Sequence, residues 1–249
     1  MKLVSFVGDS ISTFEGYNPY GYAVYYTVPM QIENDLNSAE DTWWALVLKK
    51  MNAELCVNNS YSGSLVSGRF FPAGVSDNRL QYLHNENAPD LILIYMGIND
   101  YAHGVTALND SSSASKDTVY CFEDAYDTML EKIRKNYPEA TIICATLLRP
   151  FVKEHEDLIF PEIYKCVALE DYNLAIRKTA RKHGCLLADI SSCNERYETL
   201  DGIHPTMNGH KTFAELWIRC LTELGCFCAA GFFKSFLVKP ALCHKIRIE

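Results

Sequence analysis

The sequence predicts an α/β protein built in three layers, with helices on both faces of a central parallel sheet of five strands. Three observations predict it. Short, continuously apolar runs recur along the chain, the clearest being Asp90-Leu91-Ile92-Leu93-Ile94-Tyr95-Met96, and such runs mark strands covered on both faces. Between them lie longer stretches with apolar residues at helical spacing, such as Phe122, Ala125, Tyr126, Met129, Leu130 and Ile133. The two kinds alternate, which is the order that builds a parallel sheet.

Taken in order, residues 2–7 read as the first strand and stop at Gly8-Asp9-Ser10. Gly8 is expected to permit a sharp turn, leaving Ser10 exposed at the strand's C-terminal end, where open α/β sheets bind ligands. Residues 13–41 follow as a long loop, and loops of that length inside a compact domain are commonly functional. Its tyrosines (Tyr17, Tyr20, Tyr22, Tyr25 and Tyr26) could either wall a cleft or pack the loop onto the body. Asp41 is expected to cap a helix running to Lys50.

A second strand over 53–57 leads into the polar turn Asn58-Asn59-Ser60-Tyr61-Ser62-Gly63-Ser64, and a short helix covers 76–84. The strand at 90–96 ends in Gly97-Ile98-Asn99-Asp100, and the Ser-rich stretch 104–117 reads as a surface loop. A helix over 119–136, a strand over 141–147, a loop opened by Arg149-Pro150, a helix over 168–183 and a strand over 185–190 come next. After Asp201-Gly202-Ile203-His204-Pro205 a last helix occupies 207–224. No repeat or linker divides the chain. Residues 1–249 are therefore read as one domain, with a core of about 1–224 and an apolar, Cys-rich extension at 225–249. That extension could add a layer to the core or contact a second subunit.

Composition narrows the function. A formal net charge of -8 argues against a general nucleic-acid binder, and no apolar run is long enough to span a bilayer. No leader pattern follows Met1-Lys2, so a cytoplasmic location is expected. The ten cysteines are scattered through apolar segments, as buried free thiols in a reducing compartment would be. Cys226, Cys228, Cys243 and His244 match no standard zinc spacing. There is neither a Gly-x-Gly-x-x-Gly turn nor a phosphate-binding loop for a nucleotide.

The chemistry gathers at the strand ends. A serine hydroxyl needs a base to become a nucleophile, and His204 suits that task near neutral pH. Asp201, three residues upstream, can accept from the other ring nitrogen and stabilise the imidazolium. An acyl-transfer oxyanion needs preorganised donors: the backbone N–H of Ser10, that of Gly63 and the side-chain amide of Asn99 can supply them. Asp100 is expected to tie loops together beneath the site, and His103 could line the cleft. Taken singly, each of these residues also has a plain structural reading as a turn former, cap or surface histidine; order and placement together favour the catalytic one.

In these blocks the chain resembles the SGNH hydrolases, also called GDSL-type esterases and lipases. Gly8-Asp9-Ser10-Ile11 is similar to the first block, Ser60-Tyr61-Ser62-Gly63 to the second, Gly97-Ile98-Asn99-Asp100 to the third and Asp201-Gly202-Ile203-His204-Pro205 to the fifth. Ile11 replaces the usual Leu, and Ser12 follows it. The resemblance implies a flavodoxin-like sheet, Ser10 as nucleophile, Asp201 and His204 completing a triad, and an oxyanion hole of Ser10, Gly63 and Asn99. It implies no metal or organic cofactor.

The expected function is a serine esterase acting through an acyl-Ser10 intermediate on a small polar ester. An O-acetylated carbohydrate leads, because the loops are rich in Tyr, Asn and Trp and the resembled family contains many carbohydrate O-acetylesterases. Alternatives are a lipase or thioesterase, an acyltransferase on the same triad, and a catalytically silent carbohydrate-binding module. The expected partner is a small-molecule ester, with no nucleic acid or membrane, and with homo-oligomerisation through 225–249 left open.

Overall fold

A computed structural model describes residues 1–109, 118–158 and 160–226. The tail beyond 226 and most of the Ser-rich loop, both singled out in the sequence, lie outside the described residues.

Strand β1 (Lys2–Gly8) is buried from Val4 onward. A short helix α1 (Val28–Glu33) and the helix α2 (Trp43–Met51) lead to β2 (Ala53–Ser60), which pairs parallel to β1 with Gly8 opposite Ser60. A single helical turn, α3 (Asp77–Leu80), precedes β3 (Leu91–Tyr95), which lies on the other side of β1. Helices α4 (Ile98–His103) and α5 (Phe122–Asn136) follow, then β4 (Thr141–Ala145). Next come β5 (Arg149–Val152), the hairpin strands β6 (Ile163–Tyr164) and β7 (Val167–Ala168), and α6 (Leu169–Lys182). The last described elements are β8 (Leu186–Ala188), β9 (Arg196–Thr199) and α7 (Met207–Glu223).

The central sheet has the order β2-β1-β3-β4-β8, and every neighbour pair in it is parallel. All five residues of β3 are buried, as a strand covered on both faces requires. Helix α2 packs with α7, and α5 packs with α6. Trp43 meets Phe6 edge-on at 5.4 Å and stacks on Trp217 at 5.3 Å, joining β1, α2 and α7 in one core. This is the expected α/β sandwich.

Several expectations need correction. The loop 13–41 is not structureless: it holds α1 and a 3-10 turn at Ala39–Asp41. The helix after it is capped by Thr42, whose hydroxyl accepts from the Ala45 N–H, while Asp41 turns back to accept from the N–H of Asn37. The carboxylate is captured by a nearer donor. β2 runs on to Ser60 because Asn58, Asn59 and Ser60, polar by type, are buried in the sheet. The helices read over 76–84 and 119–136 are confined to 77–80 and 122–136. A second, two-stranded sheet, β5 with β9, escaped the sequence reading altogether. Four-residue strands formed across a long sequence separation leave no periodic signal.

Candidate active site

The site grows from the C-terminal ends of β1, β2 and β3. β1 ends at Gly8, and its need for glycine is steric. A Cβ there would lie 2.7 Å from the hydroxyl oxygens of both Ser12 and Ser60. The sharp-turn explanation is thus replaced by close packing, because Gly8 is not among the residues with positive φ. A 3-10 turn follows at once over Ser10–Ser12, with the Asp9 carboxylate accepting from the Ile11 N–H at 3.1 Å and the Thr13 N–H closing onto the Ser10 carbonyl. The turn lifts the Ser10 hydroxyl toward the sheet's end.

Gly63 and Asn99 arrive from the neighbouring strands. Gly63 has φ +77 and open space where a side chain would stand, so the left-handed turn is available to glycine at low cost. Gly97, at φ +134, breaks β3 and starts α4, and a Cβ there would press on the Phe122 ring at 3.0 Å. Asn99 in the first turn of α4 donates one amide N–H to the Ser64 carbonyl at 3.0 Å, which leaves the second amide hydrogen available. Asp100 is buried and does tie loops together: it accepts from the N–H groups of Val66 and Ser67 and from the Ser67 hydroxyl. Burial pushes its carboxyl up, against those three hydrogen bonds.

The remaining pair comes from beyond the central sheet. The loop 200–205 hangs from β9, with the Gly202 N–H donating to the Thr199 hydroxyl and the Tyr197 hydroxyl donating to the Ile203 carbonyl. Thr206 caps α7 behind it. Gly209 in the first turn of that helix lies so close to β9 that a Cβ would meet the Glu198 carbonyl at 2.2 Å. The small β5–β9 sheet therefore carries Asp201 and His204 to Ser10.

There the three expected residues meet. Asp201 Oδ2 lies 2.6 Å from His204 Nδ1, and His204 Nε2 lies 2.8 Å from Ser10 Oγ. With the ring proton on Nδ1 facing the carboxylate, Nε2 accepts from the serine hydroxyl. Oδ1 of Asp201 accepts from the N–H groups of Ile203 and His204 at 2.9 and 2.8 Å. Burial alone would raise the Asp201 carboxyl, but the bond to His204, its charge and the two N–H groups outweigh this and hold it well below the usual carboxylate range. His103 is exposed and bonds the Asn99 carbonyl through Nδ1 at 2.8 Å.

Two residues of the site carried no signal of their own in the sequence. Tyr25 stacks face to face on His204, with centroids 3.4 Å apart; only its place in a tyrosine-rich loop hinted at this. Arg79, wholly buried, donates to the carbonyls of Gly8, Asn59 and Pro72, to the Asn59 side chain and to the Ser64 hydroxyl. A lone arginine in a polar stretch gives no indication that it will be enclosed.

For the cysteines, Cys228 and Cys243, with His244, lie outside the described residues, and no His/Cys/Asp/Glu group among the described residues is placed to hold a metal ion. No helix among them is long and apolar enough to cross a membrane.

The fold and the meeting of Ser10, His204 and Asp201 at the end of a parallel sheet define an α/β protein of the ester-hydrolase kind. The family model of GDSL-like lipases and acylhydrolases matches residues 2–171, and the chain belongs to that family of ester-hydrolysing enzymes. The match ends before Asp201 and His204, so the place of those two residues beside Ser10 rests on the geometry above. Among solved structures, a GDSL-like lipase from Bacteroides uniformis is similar with a TM-score of 0.69 and 25% identity, over 90% of this chain and 96% of that one. One from Bacteroides ovatus has a TM-score of 0.69 and 23% identity, over 90% and 99%. An active-site mutant of a family two carbohydrate esterase from Clostridium thermocellum shares the fold at a TM-score of 0.53 and 19% identity, over 90% of this chain and 64% of that one. No curated protein matches the sequence.

Proposed function

We propose that the protein is a serine esterase that removes a short acyl group, acetyl first, from a polar, carbohydrate-like alcohol. The hydrogen-bonded run from Ser10 Oγ through His204 to Asp201, at 2.8 and 2.6 Å, carries this reading. Ser10 Oγ attacks the acyl carbon as its proton passes to His204 Nε2. The oxyanion is received by the N–H groups of Ser10 and Gly63 and by the free amide hydrogen of Asn99. The carbon–oxygen bond then breaks, and His204 returns the proton to the leaving alkoxide. Water, deprotonated by His204, releases the acid from acyl-Ser10.

Support for a polar alcohol comes from an aromatic cluster that includes Tyr61 of the second block. Tyr22, Tyr61 and Phe71 form a triangle of rings 5.2–5.4 Å apart just before Gly63, a surface that suits the apolar face of a sugar.

A second reading has its own observation. An apolar cavity of about 260 Å³, lined by Phe151, Val152, Leu158, Phe160 and Gly202, adjoins the loop that carries Asp201 and His204. It would take a longer acyl chain, as a lipase or thioesterase requires.

The test is hydrolysis of p-nitrophenyl esters of increasing acyl length by wild type and Ser10→Ala. The proposed reading expects acetate to be turned over best and the variant to be dead. Best turnover of long chains would transfer the assignment to the second reading. An inert wild type whose Ser10 also resists a fluorophosphonate would leave a silent binding module.

A further inference from the structure

We infer that Tyr25 is a positioning residue that holds both the His204 ring and the Asp201 carboxylate in register with Ser10; this rests on the serine-esterase reading. Three contacts carry it. The Tyr25 and His204 rings are stacked with centroids 3.4 Å apart and planes only 9° from parallel. The Tyr25 hydroxyl donates to Asp201 Oδ2 at 3.1 Å, the same oxygen that faces His204 Nδ1. The Tyr25 N–H donates to the Thr13 hydroxyl at 2.9 Å, and that hydroxyl donates to the Ser10 carbonyl at 2.8 Å.

Each contact constrains a different freedom. A histidine hung on a loop can rotate about its side-chain bonds, and a 9° stack restrains rotation of the ring out of its plane. The carboxylate already accepts from two backbone N–H groups on Oδ1. With His204 and Tyr25 both on Oδ2, each oxygen has two donors and the carboxylate plane is fixed. The Thr13 link then ties the backbone of Tyr25 to the nucleophile's own turn, so the stack and Ser10 share one reference frame. The next residue repeats the logic: the buried Tyr26 donates its hydroxyl to the Pro205 carbonyl at 2.7 Å. Consecutive tyrosines thus grip the histidine loop on both sides of His204.

The phenol is suited to this task because it stays protonated. Burial, then the nearby Asp201 charge and the hydrogen bond to it, push the Tyr25 hydroxyl well above its ordinary value, so it remains a donor through the neutral range. The ring face also favours a cation stacked on it, and His204 becomes an imidazolium at the moment Ser10 attacks. Tyr25 touches no reacting atom itself.

The experiment compares Tyr25→Phe, Tyr25→Leu and Tyr25→Met with wild type in the full-length protein. It measures kcat and KM on p-nitrophenyl acetate, the low-field proton resonance of the His204 Nδ1–H, and thermal unfolding. The expected result is a kcat about 10–100-fold lower in the Leu and Met variants, with KM within about threefold, because proximity of a catalytic pair acts on the chemical step. The low-field resonance should broaden or vanish in them. Tyr25→Phe keeps the stack and loses the hydroxyl, and should recover kcat to within about fivefold of wild type with the resonance retained.

A kcat within twofold of wild type in a folded Leu or Met variant overturns the proposal. So does an unchanged resonance, or failure of both ring-free variants to fold, since the ring would then be serving the fold alone. The underlying esterase reading fails separately: Ser10→Ala would then retain activity, or wild type would be inert to fluorophosphonate.

Discussion

The Arg79 guanidinium reaches the Gly8 carbonyl with Nη2 at 2.9 Å, so the last peptide of β1 before the nucleophile turn is held by a buried cation. The same side chain bonds Asn59 in β2 and the Ser64 hydroxyl, and the Ser64 carbonyl in turn holds Asn99. Three strand ends bearing Ser10, Gly63 and Asn99 are therefore spaced by one residue. Burial pulls its basicity down to about 10, against the charge of Asp9 and the tyrosines Tyr22 and Tyr61, which leaves it cationic at neutral pH.

Arg79→Leu should destabilise the fold by about 2–5 kcal/mol, because several buried acceptors lose their donors together. Arg79→Lys should recover less than half of that, since a single ammonium cannot reproduce the planar fork. Urea unfolding monitored by tryptophan fluorescence measures both. A loss below about 0.5 kcal/mol for Arg79→Leu would contradict the role given to Arg79.

Asp9 predicts a pH dependence of stability. Burial pushes its carboxyl up to about 7, against the Ile11 N–H and the charge of Arg79, with Asp100 adding to the rise, while one carboxylate oxygen has no protein partner. Between an unfolded value near 4 and that folded value, the native chain holds a proton that the unfolded chain has released. The Asp9 contribution therefore favours the fold at low pH and is lost as pH rises through about 7. His210 works the other way: burial lowers it to about 3, so stability falls as pH drops below its unfolded value of roughly 6.5. Asp9→Asn separates the two. Its stability relative to wild type should be more favourable at pH 7.5 than at pH 5 by about 2 kcal/mol. A difference that is flat across that range in paired denaturation curves would rule the prediction out.

Asn99→Ala removes a candidate oxyanion donor and the bond to the Ser64 carbonyl. Turnover of p-nitrophenyl acetate should fall on the order of 10²-fold with KM little changed. Circular dichroism should remain that of wild type, since the residue sits in the first turn of a six-residue helix and Asp100 keeps its own bonds. A fall of less than about threefold would remove Asn99 from the oxyanion hole.

Much of this architecture is legible in the chain because it is local. The run Leu91–Tyr95 has to be a strand covered on both faces, and the stripe from Phe122 to Ile133 has to be a helix. Element boundaries were less legible where a competing partner exists only in the fold, as with Asp41 turning to Asn37 and Thr42 taking the cap. The sheet of β5 and β9 was illegible because each strand is short and its partner lies more than forty residues away.

By itself, the sequence determined the α/β class, the order of the chain's elements and the residue types able to perform acyl transfer, since hydrophobic period and side-chain chemistry are carried by neighbouring residues. Tertiary structure alone decided that His204 lies 2.8 Å from Ser10, that Arg79 is enclosed beneath three strand ends, and that Tyr25 and not another loop tyrosine covers the histidine. Those relationships join residues 15 to 194 positions apart. They are set by strand order, by close packing at Gly8 and Gly209, and by which buried donor finds which acceptor.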